Sequence, residues 1–158
     1  MKFCSALLIL FIVSCTNTAP LVLDTNESII IDYGFNDSSV SPEYHRSYTI
    51  TISPTNIHVQ VDSYGDVLAD KNLPISSNQF EELIQTINEA NLVSGRNEPA
   101  DPCDGGTSES LTIKAADKQV YNGYFDHCAD APSDSMGNIE LVMDAIHELV
   151  PNLGEMLQ

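Results

Sequence analysis

Two runs of strictly alternating residues constrain this chain more than any other feature. In Tyr48-Thr49-Ile50-Thr51-Ile52 the apolar side chains fall on every second position. After Ser53-Pro54-Thr55-Asn56 the pattern resumes as Ile57-His58-Val59-Gln60-Val61-Asp62. A period of two is that of a half-buried strand, and Pro suits the second position of a tight turn. The segment therefore predicts an antiparallel hairpin with Tyr48, Ile50, Ile52, Ile57, Val59 and Val61 inward. One sheet face must be covered, and the other is polar.

Further elements follow from the same patterning. Ile29 to Phe35 reads as a first strand, closed by the loop signal Asn36-Asp37-Ser38-Ser39. Tyr64-Gly65-Asp66 turns the chain into a short, polar strand candidate, Val67 to Leu73. Ser76 with Gln79 three residues later is a capping-box spacing. Phe80, Leu83, Ile84 and Ile87 then form the stripe of an amphipathic helix that ends near Asn91 or Leu92. Residues 94–109 form a loop rich in turn formers. Leu111, Ile113 and Ala115 alternate, a turn sits near Asp117-Lys118, and Val120 to Phe125 is an aromatic strand. A last helix is expected from Ser135 to Val150, with Ile139, Val142, Met143, Ile146 and Val150 on one face and Pro151 as its stop. The order is β-β-β-(β)-α-β-β-α. It predicts an α+β fold, an antiparallel sheet with two helices packed on one face.

The N-terminus carries an address. Lys2 precedes an apolar run, Ala6 to Val13, too short to span a bilayer. Ile12-Val13-Ser14-Cys15 resembles the lipobox of bacterial lipoproteins. The resemblance implies lipidation of Cys15, cleavage before it, and a membrane anchor of several acyl chains. By analogy with Gram-negative sorting, Thr16 after the Cys implies the outer membrane, facing the periplasm. The division is then a signal peptide at 1–14, a lipidated Cys and tether at 15–28, and one domain at 29–158. Leu21-Val22-Leu23 reads alternatively as an edge segment docked on that domain.

Charge narrows the partners. The 158 residues hold 23 acidic side chains against 6 basic ones, a formal charge of −17. So few cations exclude a phosphate-neutralising surface or a polybasic membrane patch, hence nucleic-acid binding. The acidity favours solubility and attraction to cations or basic partners.

With Cys4 in the signal and Cys15 lipidated, Cys103 and Cys128 are left to pair as a disulfide. They flank the open end of the hairpin centred near Asp117, and a bond there is worth about 3 kcal/mol in the chain-entropy account. Zinc is the competing reading, with His127 beside Cys128, but it lacks a CxxC and a fourth ligand. Asp101, Asp104, Asp126 and Asp130 lie within three residues of these cysteines. They form a calcium candidate, matching no EF-hand spacing, or simply a solvated face. No other cofactor is implied. Tyr44, His45 and Arg46, at the end of the long first loop, are candidate anchors for a protein partner. His58 reads as exposed on a polar strand face, and His147, beside the apolar face of the last helix, as a packed or rim residue. No nucleophile elbow, phosphate loop or zincin motif is present.

Three pieces carry a second resemblance: Ser76-Ser77-Asn78-Gln79-Phe80-Glu81-Glu82-Leu83, Asp104-Gly105-Gly106, and Leu111 to Phe125. Their order is similar to that of small bacterial envelope proteins and to emfourin, the inhibitor of protealysin-type metalloproteases. It covers about residues 30–150 as a pattern of element types, and no inhibitory residue is carried over. The leading expectation is a lipid-anchored envelope lipoprotein acting as a non-enzymatic binding module on an envelope protein. The alternatives are an emfourin-like protease inhibitor and a hydrolase whose site is assembled by the fold.

Overall fold

Antiparallel pairing organises everything else in the computed structural model, which describes residues 19–94, 105–127 and 137–158. The first four strands form a meander: β1 (Ile29–Asn36), β2 (Ser47–Ser53), β3 (Asn56–Ser63) and β4 (Asp66–Pro74). Helix α1 (Ser77–Glu89) follows, then the hairpin β5 (Ser108–Ala115) and β6 (Lys118–Asp126), helix α2 (Ile139–Glu148) and the single turn α3 (Leu153–Met156). The sheet order is β4-β3-β2-β1-β5-β6, so the second hairpin adds to β1 on the side opposite β2. The expected α+β architecture is the observed one.

The register stacks the inward side chains into rows across the strands. One row runs Leu73, Ile57, Ile52, Ile31, Ile113, Tyr121. The next runs Lys71, Val59, Ile50, Tyr33, Leu111, Gly123, and a third Ala69, Val61, Tyr48, Phe35, Glu109, Phe125. Phe80, Leu83, Ile84 and Ile87 of α1 and Val142, Met143 and Ile146 of α2 join these rows in one buried cluster. The opposite face is polar, with Asp32, Thr51, His58 and Thr112 at successive paired positions.

Local chemistry sets the element ends. The capping box forms: the Ser76 hydroxyl oxygen accepts from the Gln79 amide, and the Gln79 side chain accepts from Ser76 N–H. Beyond the C-cap Ala90, Asn91 takes a left-handed conformation (φ 52°), a common way to end a helix. The Asn138 amide donates to Ala90 O at 2.8 Å, which seats the start of α2 on the end of α1. Gly137 (φ 110°) passes so close that a Cβ there would lie 2.7 Å from two carbonyl oxygens of α1's end.

Several boundaries differ from expectation. β4 is a full nine-residue strand. It lies at the sheet edge, where exposure on both faces removes the need for alternation. Residues 108–110 extend β5 because they pair with the end of β1. α2 begins at Ile139, where Asn138 caps it with its side chain accepting from the Leu141 amide. The segment 21–23 is docked: Leu23 is buried, Leu21 N donates to Leu92 O, and the Asn88 amide accepts from Leu23 N (2.7 Å) and donates to Leu23 O (3.1 Å). Among the described residues, no helix is long and apolar enough to cross a membrane.

Candidate functional site

Strand parity carries Tyr33 and Tyr48 to the covered face of the sheet, and the C-terminal turn of α2 lays His147 across them. Tyr48 Oη lies 3.1 Å from His147 Nε2, and the Tyr33 and His147 rings meet edge-on at 5.2 Å. Phe35 stacks on Tyr48 with centroids 5.2 Å apart. Glu109, in the same row, sends its carboxylate into this end of the core, and its Oε1 lies 2.9 Å from His127 Nε2. Its side chain is 14% exposed, and its Oε2 has no hydrogen-bond partner among the described residues.

Burial dominates the electrostatics. It pushes the Tyr33 phenol far above its ordinary value, and Tyr48 and Glu109 add to the shift. Tyr48 is raised chiefly by burial, and Tyr121 is raised to about 12 by burial alone. All three phenols are therefore protonated at neutral pH. The Tyr121 ring lies over Gly123, where a Cβ would sit 2.6 Å from its hydroxyl. The Tyr33 and Tyr121 hydroxyls, like Glu109 Oε2, find no hydrogen-bond partner among the described residues. Sequence reading missed Glu109 because residues 94–109 look like a loop. Extending the parity of Leu111 and Ile113 backwards by one step would have placed it inward.

The loop between β1 and β2 is tightly tied. Asp37 Oδ2 accepts from Arg46 N, Asp37 N donates to Ser47 Oγ, and Tyr64 Oη donates to Val40 O. Within the expected anchor trio, Tyr44 is 70% exposed, but His45 is buried and stacked on Tyr64 at 3.9 Å. Arg46 donates to His45 O. The three side chains thus do not present one exposed surface. His45 Nε2 lies 3.4 Å from Ser47 Oγ, yet His45 Nδ1 has no partner among the described residues. A serine hydrolase needs an acid at that second nitrogen to orient the ring. His58 is half-exposed and paired with Asp70 at 3.1 Å, a hydrogen bond that holds the Asp70 carboxyl below its ordinary range.

Cys15, Cys103, Cys128, Asp101, Asp104 and Asp130 lie outside the described residues. Asp126, the remaining calcium candidate, ends β6 opposite Ser108. Among the described residues no group of three or more potential metal ligands converges.

A groove also lies between β4 and α3. It has a volume of about 670 Å³, and its lining includes Leu68, Ala69, Leu73 and Met156, the cations Arg46 and Lys71, and Glu155 of α3. These are two of the four Lys and Arg among the described residues. Neither forms an ion pair with a described residue, whereas Lys114 is held by Asp32 at 3.0 Å.

No protein-family model matches the sequence, and no curated protein matches it. Among solved structures, sheep galectin-11 in complex with glycerol is similar over 74% of this chain and 73% of that one, at 8% identity and a TM-score of 0.25. A likeness that distant carries no argument about fold or function.

Proposed function

We propose that this chain is a bacterial envelope lipoprotein, anchored through lipid on Cys15, whose domain binds another protein and does not transform a substrate. The observation that carries the binding reading is the β4 edge. Eight of its nine residues pair with β3 and none with another strand, and a groove lined by apolar side chains together with Arg46 and Lys71 lies beside them. An unpaired edge offers a row of backbone donors and acceptors that another chain can complete. The anchor rests on Ile12-Val13-Ser14-Cys15 and the apolar run before it. In a Gram-negative source, Thr16 places it on the outer membrane, facing the periplasm.

The Cys103–Cys128 disulfide belongs to the same reading. His127 N donates to Thr107 O at 2.9 Å, so the β5–β6 ladder extends one step past Ser108 and Asp126. Cys128 follows His127 directly, and Cys103 precedes Thr107 by four residues. A thiol count on the denatured chain, with and without reductant, tests the bond. Calcium at Asp101, Asp104, Asp126 and Asp130 is tested by titration: a heat of binding or a rise in melting temperature supports it.

Replacing Cys15 with Ala tests the anchor. The variant is expected in the soluble fraction after cell lysis, and a variant that still sediments with membranes overturns the reading. The emfourin-like reading makes the partner a metalloprotease. Inhibition of a protealysin-type enzyme by the chain would support it, and no inhibition at high molar excess would exclude it.

A further inference from the structure

The inward positions of β4 specify what could lie beside it. Ala69, Lys71 and Leu73 point to the same side, in the order apolar, cationic, apolar, against Val61, Val59 and Ile57 of β3. The outward positions Asp70 and Asn72 face the polar side of the sheet, where Asp70 is engaged by His58. A strand added to β4 would place its own alternate side chains next to these three, because cross-strand neighbours share a face. Resting on the binding reading above, we propose that the β4 edge accepts an extended acidic peptide segment of a partner protein as a seventh strand. The segment carries an apolar residue, a carboxylate two positions on, and an apolar residue two positions further.

Charge complementarity selects this occupant. The chain as a whole is strongly anionic and would repel acidic peptides elsewhere on its surface. At this groove Lys71 and Arg46 form no ion pair with a described residue, and Glu155 supplies the one carboxylate side chain among the described lining residues. The central carboxylate would meet Lys71, with Arg46 within the same groove. The flanking apolar side chains would cover Ala69, Leu73 and Met156, which is only partly buried in the free chain. Backbone pairing supplies affinity and the alternate side chains supply selectivity.

The probe is a capped, fluorescein-labelled peptide of valine, threonine, glutamate, threonine and valine flanked by threonines, titrated onto the full chain in detergent. Saturable binding is expected, with slowed amide exchange on β4 and weakening in high salt. Lys71 is exposed, so Lys71→Glu leaves the core intact, as circular dichroism would verify. It should weaken the glutamate peptide by about tenfold or more and improve binding of a lysine-substituted peptide. Moving the glutamate by one position should also weaken binding, because the carboxylate would then face the other side of the sheet. The proposal is overturned by no binding at millimolar peptide, by indifference to the charge at position 71, or by protection of β6 in place of β4. Self-association of the chain through β4 without peptide binding overturns it as well. None of these results bears on the anchor, which membrane fractionation judges separately.

Discussion

Gly123 shows how much a single missing side chain can decide. Tyr121 reaches across it, so that its phenol enters the core beside Phe125. A Cβ at Gly123 would meet Tyr121 Oη at 2.6 Å and Phe125 Cζ at 2.9 Å. Gly123→Ala is therefore expected to destabilise the fold by about 1–3 kcal/mol in urea unfolding, an overpacking cost. Adding Tyr121→Phe should recover part of that loss, because it removes the closest atom and a buried hydroxyl without a described partner. If the double variant is no more stable than Gly123→Ala alone, the clash lies elsewhere. Tyr121 was legible as a strand residue, but which face Gly123 serves was not. A glycine gives no hydrophobic signal, and its role is visible only once the neighbouring ring is placed.

At the scale of elements, the strongest periodic signals survive intact. The β2–β3 hairpin and the stripe of α1 are where alternation and the i, i+3, i+4 spacing place them, because their buried faces admit one register only. The Ser76 cap was legible for the same reason: its bonds are local. Ser76→Ala is expected to cost about 1 kcal/mol, read as a shift in the thermal or urea midpoint. Less was legible where tertiary pairing decides. β4 lacks alternation because it is an edge, and α3 is too short for any periodic signal. The turn Ala116-Asp117 adopts positive φ at both positions (47° and 62°) without the usual glycine or asparagine. The candidate site was legible to different degrees. Tyr44 is exposed as an anchor must be. His45 is not, because its stacking on Tyr64 depends on the β3–β4 turn, which no local pattern in residues 36–46 foretells.

For the molecule as a whole, the buried phenols set an alkaline limit. A phenol whose folded pKa is raised holds its proton better in the folded state than in the unfolded one. Its contribution to stability is complete below the ordinary value of 10.0 and is lost as pH climbs through the folded value, about 12 for Tyr121. Tyr33 is raised further, so it adds to the loss throughout the same window. The urea midpoint is accordingly expected to fall between about pH 10 and pH 12. Tyr121→Phe should make that fall shallower, whereas an unchanged profile would show that the Tyr121 phenol does not drive it. Charge, by contrast, was fully legible from the sequence at this scale. Its placement was not, because the groove brings Arg46, at the end of the β1–β2 loop, beside Lys71 of β4.

The clamp of Asn88 on Leu23 also has a mechanical meaning if the chain is tethered at Cys15, as proposed. With Leu21 held against the end of α1, six residue steps would separate the proposed lipid on Cys15 from the fold, a leash of about 20 Å at full stretch. Under the proposed anchor the domain would ride close to the bilayer, and a protein partner would have to approach within that clearance. Any pull away from the membrane loads the Leu21 and Leu23 contacts before it reaches the sheet. If they give way, slack as far as Ile29 is released while the core stays folded. The docked segment would then act as a shock absorber between membrane and domain.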